Sequence, residues 1–428
     1  MRRQNQDHSR VGIACTGKIL AMLTMVLTLT AELNAASSLE TLLKFKSGDG
    51  ADPLTSLTLD EAGNLYGTTS RGGGGHCTPP CGTVFQLVAN SDGTWTENLL
   101  HQFSGGSDGE SPLAGVIFDA AGNLYGTTSA GGVNDPCCGT VFELTHNSDG
   151  SWTKSVLYNF KGGSDGDMPM SNLIFDGAGN LYGTTDIGGS AGQGTVFQLI
   201  PHPNGSWTES VLYNFCSVQN CVDGAFPIAG LASDAAGNLY GTTSMGGIDL
   251  SCCGTVFKLT HKSDGSWTMS ILYSFQGGSD AAAPDSNLIF DAAGNLYGAT
   301  GGGGNNNHGT VFRLIPQSKG RWTESVLHRF CSLTNCADGD LPTALTFNAA
   351  GTLYAATAYG GLVDDGIVFR LAPRPRERWA FSAIYTFKGK PGIQPRGGLI
   401  FDKAGKAYGT ASLCATKGCN GTVFELTP

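Results

Sequence analysis

Gly122-Asn-Leu-Tyr-Gly-Thr-Thr128 is the stretch on which the fold turns. It recurs unbroken at 63–69, 179–185 and 237–243, and with substitutions at 294–300, 351–357 and 405–411. Its tyrosines, Tyr66, Tyr125, Tyr182, Tyr240, Tyr297, Tyr354 and Tyr408, follow one another at 59, 57, 58, 57, 57 and 54 residues. A period in that range marks one supersecondary unit copied along the chain.

Working outward from the second copy, Val116-Ile-Phe-Asp119 is a short apolar run and Ala120-Ala-Gly-Asn123 is a turn. Asp119 can accept backbone hydrogen bonds there, and Gly122 can adopt positive φ. Leu124 to Thr128 reads as a second strand. After a glycine-rich loop, Gly139-Thr-Val-Phe-Glu-Leu144 reads as a third. Ser148-Asp-Gly-Ser151 is a tight turn, and Trp152 to Phe160 a fourth strand. No segment carries helical periodicity. The unit is a four-stranded antiparallel meander, with strands a to d.

Consecutive apolar residues, as in Leu288-Ile-Phe290, suit strands covered on both faces. Sheets stacked radially provide that cover. The expected fold is therefore all-β: a seven-bladed β-propeller of four-stranded antiparallel blades. The last repeat stops after its third strand, while Ser38-Leu-Glu-Thr-Leu-Leu-Lys-Phe45 matches the fourth strand of the first repeat, 96–103. Residues 38–45 are expected to supply the outer strand of the seventh blade and close the ring.

Residues 1–35 read as a secretory signal peptide. Arg2, Arg3, Arg10 and Lys18 precede an apolar run from Ile19, and cleavage is expected near Ala35. The remainder, 36–428, is expected to be one propeller domain, secreted or periplasmic, monomeric and without a membrane span. The chain has 25 basic and 35 acidic residues. Losing four basic and two acidic residues with the leader leaves 21 against 33, a net charge of −12. That balance argues against a nucleic-acid partner.

Twelve cysteines beyond the leader form six local pairs: Cys77/Cys81, Cys137/Cys138, Cys216/Cys221, Cys252/Cys253, Cys331/Cys336 and Cys414/Cys419. In an exported chain these read as disulfides. The spaced pairs also resemble halves of zinc sites, but the halves fall on different blades.

Antiparallel connectivity sorts the loops. The a–b and c–d turns share one face of the disc, the plain face. The b–c loops and the connections from d to the next a share the other. That second face carries every cysteine pair and nearly all the length variation, so binding is expected there, near the axis. Its candidate ligand-binding residues are Asp49, Asp108, Asp165, Asp223, Asp280 and Asp338, each four residues before a proline, with His76 and His308. Turn chemistry explains the aspartates. Calcium at Asp108, Asp165 and Asp338 is the alternative, and the only cofactor expected. Six tryptophans at one repeat position read as packing residues. No nucleophile elbow, paired metal-binding histidines or phosphate loop is present, so no catalytic residue is assigned.

The repeat F-x-G-G-x-D-G-x-x-P-x-x-x-L-I-F-D-x-A-G-N-L-Y-G-T-T-x-x-G-G, followed by G-T-V-F-x-L, resembles the GloVer tandem repeat of exported bacterial proteins over residues 40–428. The resemblance implies export and a repeat scaffold, and brings no catalytic residues. The expected function is a non-catalytic binding module for an extracellular protein or polysaccharide. The alternatives are a carbohydrate-active or lectin-like protein, and a metal-dependent hydrolase or lactonase.

Overall fold

The computed structural model describes residues 37–74, 81–133, 137–304, 306–389 and 392–428. The expected leader (1–35), His76 and Cys77 lie outside the described residues. Ser38–Pro428 forms one compact unit. Its strands make seven antiparallel sheets, each taking its strands in chain order except the last. In blade 2 strand a is Ile117–Phe118, b is Leu124–Thr128, c is Thr140–His146 and d is Trp152–Asn159. Blades 5 and 6 add a short strand, Ala281–Pro284 and Asp340–Pro342. Among the described residues no helix is long and apolar enough to cross a membrane.

The ring closes as the sequence predicts. Ser38–Lys44 pairs antiparallel with Thr422–Thr427, from Ser38 opposite Thr427 to Lys44 opposite Thr422. This strand, the first among the described residues, is the outer strand of the last blade, and it covers what would be an open sheet edge.

The repeated motif explains the blade. Asp119 accepts hydrogen bonds from the amides of Ala121 (2.9 Å) and Asn123 (2.8 Å), and from the Asn123 side chain and the Tyr125 hydroxyl. Gly122 sits at φ +88° with open space around it, so the turn requires the backbone angle and not the small volume. Gly126 is needed for the opposite reason. A Cβ there would come within 2.7 Å of the Phe142 ring.

The core lies between blades. Seven apolar clusters each join one blade to the next, the last joining Tyr408 and Val423 to Leu57, Leu65 and Phe85. At every junction the phenylalanine ending one outer strand meets the strand-c phenylalanine of the next blade edge to face. Phe103–Phe142 is 5.2 Å between centroids, and the closing contact Phe45–Phe85 is 5.0 Å. Edge-to-face pairs add to the stabilisation from burial alone. The tryptophans also bridge blades, with Trp152 edge-on to Tyr66 and Trp207 edge-on to Tyr125.

A second device joins neighbours at the loop face. The residue before each loop proline has positive φ, from Asp52 at 54° to Gln394 at 56°. The proline then lies against the glycine that opens strand c of the preceding blade: Pro112 on Gly82, Pro169 on Gly139, and Pro53 on Gly421 across the closure. Any side chain on those glycines would collide with the proline.

Candidate functional site

The loops beyond strand b and strand d lie together, as the Gly132 amide donating to the Gly106 carbonyl (2.7 Å) shows. Disulfides join Cys137–Cys138, Cys216–Cys221, Cys252–Cys253, Cys331–Cys336 and Cys414–Cys419. Cys81 is also disulfide-bonded. Among the described residues ten large apolar side chains are exposed, between 39% and 69%: Val133, Val218, Val222, Met245, Ile248, Leu250, Leu333, Leu362, Val363 and Leu413. All ten belong to b–c or d–a segments, hence to the loop face. Val218 lies inside the loop closed by Cys216–Cys221 and Val222 directly follows it, and Leu250, Leu333 and Leu413 lie within two residues of other disulfides.

The loop aspartates are engaged locally. Asp165 accepts from the Lys161 amide (2.7 Å) and the Tyr158 hydroxyl (2.6 Å). Asp223 accepts from the Ser217 amide and the Tyr213 hydroxyl, both at 2.8 Å. Asp280 accepts from the Gln276 amide (2.8 Å) and the Tyr273 hydroxyl (3.1 Å). Asp338 takes the Ser332 and Leu333 amides (both 3.1 Å) and contacts His328 at 3.2 Å. Asp108 takes the Ser104 amide (2.8 Å), contacts His101, and pairs with Lys154 of the next blade at 2.8 Å. Burial opposes ionisation of Asp108, but His101 and Lys154 outweigh it and hold the carboxyl well below the usual range. Each of these five aspartates thus ties its turn to the outer strand, while Asp49 is placed opposite Glu97. Among the described residues, no three of them bring carboxylate oxygens within 4.8 Å of one another.

The residue facing the loop aspartate from the next blade varies. It is Lys154 at Asp108 but glutamate at three other junctions: Glu97 near Asp49, Glu209 near Asp165 and Glu324 near Asp280. Burial first, and the facing aspartate second, push these glutamates up to about 7, 8 and 7. One oxygen of each is buried without a hydrogen-bond partner. His308 contacts Asp340 at 2.9 Å and lies beside Cys331 and Cys336.

The central channel holds what the aspartate pattern does not reveal. Its cavity of ≈ 200 Å³ is lined by residues of all seven blades, chiefly those just after the loop prolines. Directly after the proline stand Leu54, Leu113, Met170 and Ile228 in blades 1 to 4, then Asp285 in blade 5 and Arg396 in blade 7. Blade 6 is one residue shorter here, with three residues from Pro342 to Leu345 where others have four. Two residues deeper, Asn172 accepts from the Gly115 amide (2.8 Å), Asn287 from Gly230 (2.6 Å) and Ser56 from Gly398 (2.9 Å). Those bonds make a polar floor under a mouth that is apolar on one arc and charged on the other.

Arg396 donates to the Tyr359 hydroxyl at 2.9 Å, with its guanidinium 5.6 Å from the ring centroid. Asp285 is exposed to the lumen, with the channel walls around it. That enclosure pushes its carboxyl up to about 7, against the pull of its own amide and of Arg396, while access to lumen solvent works against the rise. Its Oδ2 lies 2.9 Å from where a Cβ on Gly301 would be. Four other blades carry serine at that position (Ser70, Ser129, Ser244 and Ser412), so the glycine clears room for the carboxylate. Columns of aspartate, histidine and cysteine stand out in the sequence because they repeat. The column after the proline, read down the repeats, carries the signal.

Two solved structures are similar in fold. One is the extracellular domain of a candidate one-component system, BT4673, from B. thetaiotaomicron, at 10% identity and TM-score 0.53 over 90% of this chain. The chain spans only 40% of that protein's length. The other is a candidate oxidoreductase (glucose dehydrogenase) from Thermus thermophilus, at 14% identity and TM-score 0.42, covering 91% of this chain and all of that one. No curated protein matches the sequence. The Gloeobacter/Verrucomicrobia repeat profile matches residues 28–251 and 178–424. The tandem repeat, the seven blades and this match lead to one assignment: the chain belongs to the Gloeobacter/Verrucomicrobia repeat family.

Proposed function

We propose that this chain is an exported, non-catalytic binding propeller that engages an extracellular protein through its loop-rich face. The observation that carries the reading is the placement of all ten exposed large apolar side chains on that face, five of them within two residues of a disulfide that restrains the loop. Large apolar side chains left exposed on a single face favour association, and loops held in place before binding lose less entropy on association. A protein partner fits better than a polysaccharide. Sugar recognition calls for free aromatic faces, and Trp152 is instead stacked on His146 at 4.6 Å and edge-on to Tyr66.

The test compares two sets of substitutions in the oxidised protein. Leu333→Ser, Leu362→Ser and Val363→Ser alter the loop face, and Lys319→Ser alters the plain face. The expected result is that one extracellular protein is retained by the parent and the Lys319 variant and lost by the triple variant. Equal retention by all three, or binding to a polysaccharide panel unaffected by the triple variant, overturns the reading.

A further inference from the structure

We infer that the loop-face mouth of the central channel is a binding site for a small zwitterion of the α-amino-acid class, its carboxylate held by Arg396, its ammonium by Asp285, and its side chain against the apolar arc. The inference stands apart from the loop-face surface proposed above. Its residues are in the lumen, and its failure leaves that surface untouched.

The first support is that the charges are placed for a third party. Arg396 spends one N–H on Tyr359, and its other donors have no acceptor among the described residues. Asp285 accepts no side-chain hydrogen bond from those residues. Arg396 acts on it through space, without a direct ion pair. One cation and one anion, close but unjoined, call for a molecule that carries both charges. Guanidinium and carboxylate are natural partners, and hydrogen bonds to charged groups are the stronger kind.

The second support is that the departures among the residues around the mouth gather in one sector, blades 5 to 7, with Asp186 of blade 3 as the exception. Blade 5 replaces an apolar residue by Asp285 and a serine by Gly301. Blade 6 omits a residue and supplies Tyr359. Blade 7 supplies Arg396. Blades 1 to 4 keep Leu54, Leu113, Met170 and Ile228. A scaffold that needed only to close its ring would fill the mouth alike seven times, as it fills its Phe–Phe junctions.

The third support is size and polarity. A volume of ≈ 200 Å³ exceeds by several-fold the ~30 Å³ share of one water. It leaves room for an amino acid. Among the described residues that line the cavity Asp285 is the one carboxylate, too few for a calcium ion, which takes six to eight oxygen ligands. Tyr359, the aromatic residue beside the mouth, already has a guanidinium over its ring, so it offers no free platform to a sugar.

The test uses the oxidised protein, calorimetry and thermal melting. Ligands are leucine, isoleucine and methionine, their N-acetylated and amidated derivatives, and glucuronate. Free apolar amino acids should raise Tm with dose, as ligands of the folded state do. Blocking either terminus should weaken binding about tenfold or more. Asp285→Asn and Arg396→Gln should each do the same while leaving the unliganded Tm within a few degrees of the parent. Gly301→Ala, which keeps both charges but displaces the carboxylate, should also weaken binding. No dose-dependent shift with any free amino acid at millimolar concentration overturns the proposal. So does equal binding of the blocked derivatives, or tighter binding of glucuronate. If a variant fails to fold, the blocked ligands on the parent protein still decide.

Discussion

The two faces of the disc are built from the same seven copies and differ in kind. On the plain face the a–b turn is nearly the same seven times, an aspartate or asparagine gathering the amides ahead of it. On the loop face the blades fall into several different designs. One carries adjacent cysteines, another a disulfide over five residues, another Leu362-Val-Asp-Asp365 with no cysteine at all. Repetition is kept where a residue serves the blade-to-blade core and is relaxed where side chains meet solvent. The difference shows which end of the blade is scaffold and which is free to specify a ligand.

The sharpest way to break this comparison is at the shared core. Phe142→Ala removes a fully buried ring that meets Phe103, and should cost about 3–5 kcal/mol in denaturant unfolding. A loss similar to that of a surface substitution would mean that the junctions do not hold the ring together.

A second effect is pH dependence from the blade junctions. Glu97, Glu209 and Glu324 have folded-state carboxyls raised to about 7, 8 and 7. A raised carboxyl contributes stability that is complete below its unfolded value of ~4.3 and is lost as pH rises through the folded value. Tm should therefore fall between about pH 4.5 and 8, and Glu209→Gln should flatten the slope. Asp108, held low, acts with the opposite sign. Its contribution fades only as pH drops below ~3.9. A Tm that rises steadily from pH 5 to 8 would contradict the glutamate account.

A smaller effect separates the seventh blade from the first five. There a buried threonine pair crosses strands b and c, as Thr128 and Thr140 do at 2.8 Å. In blade 7 the strand-b partner is Ala411, and the Thr422 hydroxyl is left without a hydrogen bond. Ala411→Thr should restore the pair and add about 1 kcal/mol. Unchanged or lower stability would show that the site has already adapted to alanine. Smallest of all, Leu362→Ser and Val363→Ser on the loop face should each change stability by less than about 0.5 kcal/mol. A larger loss would make those side chains part of the fold and blur the contrast between the faces.

The fold was legible because its determinants repeat. Seven tyrosines at one spacing, turns marked by Gly122 and its equivalents, and a spare strand at residues 38–45 point to one closed ring. Residues 38–44 pair with 422–427 as expected. The lumen site was not legible by the same means. Asp285 and Arg396 are 111 residues apart in sequence and belong to no motif. Only closure of the ring brings position one after the proline from every blade to a common axis. The loop aspartates stood out because they repeat, and their hydrogen bonds show the same local task five times, in securing the turn after strand d.

Ring closure by Ser38–Lys44 also sets an order of events. Its partner, Thr422–Thr427, is the last strand of the chain. During vectorial synthesis the inner blades can condense on neighbours already made, through contacts roughly one repeat apart. Leu39 faces Leu426, a separation of 387 residues. The entropy of closing so large a loop grows only logarithmically with length, so distance is a modest obstacle. Timing is the real constraint: the strand of the ring that is made first waits for the one made last.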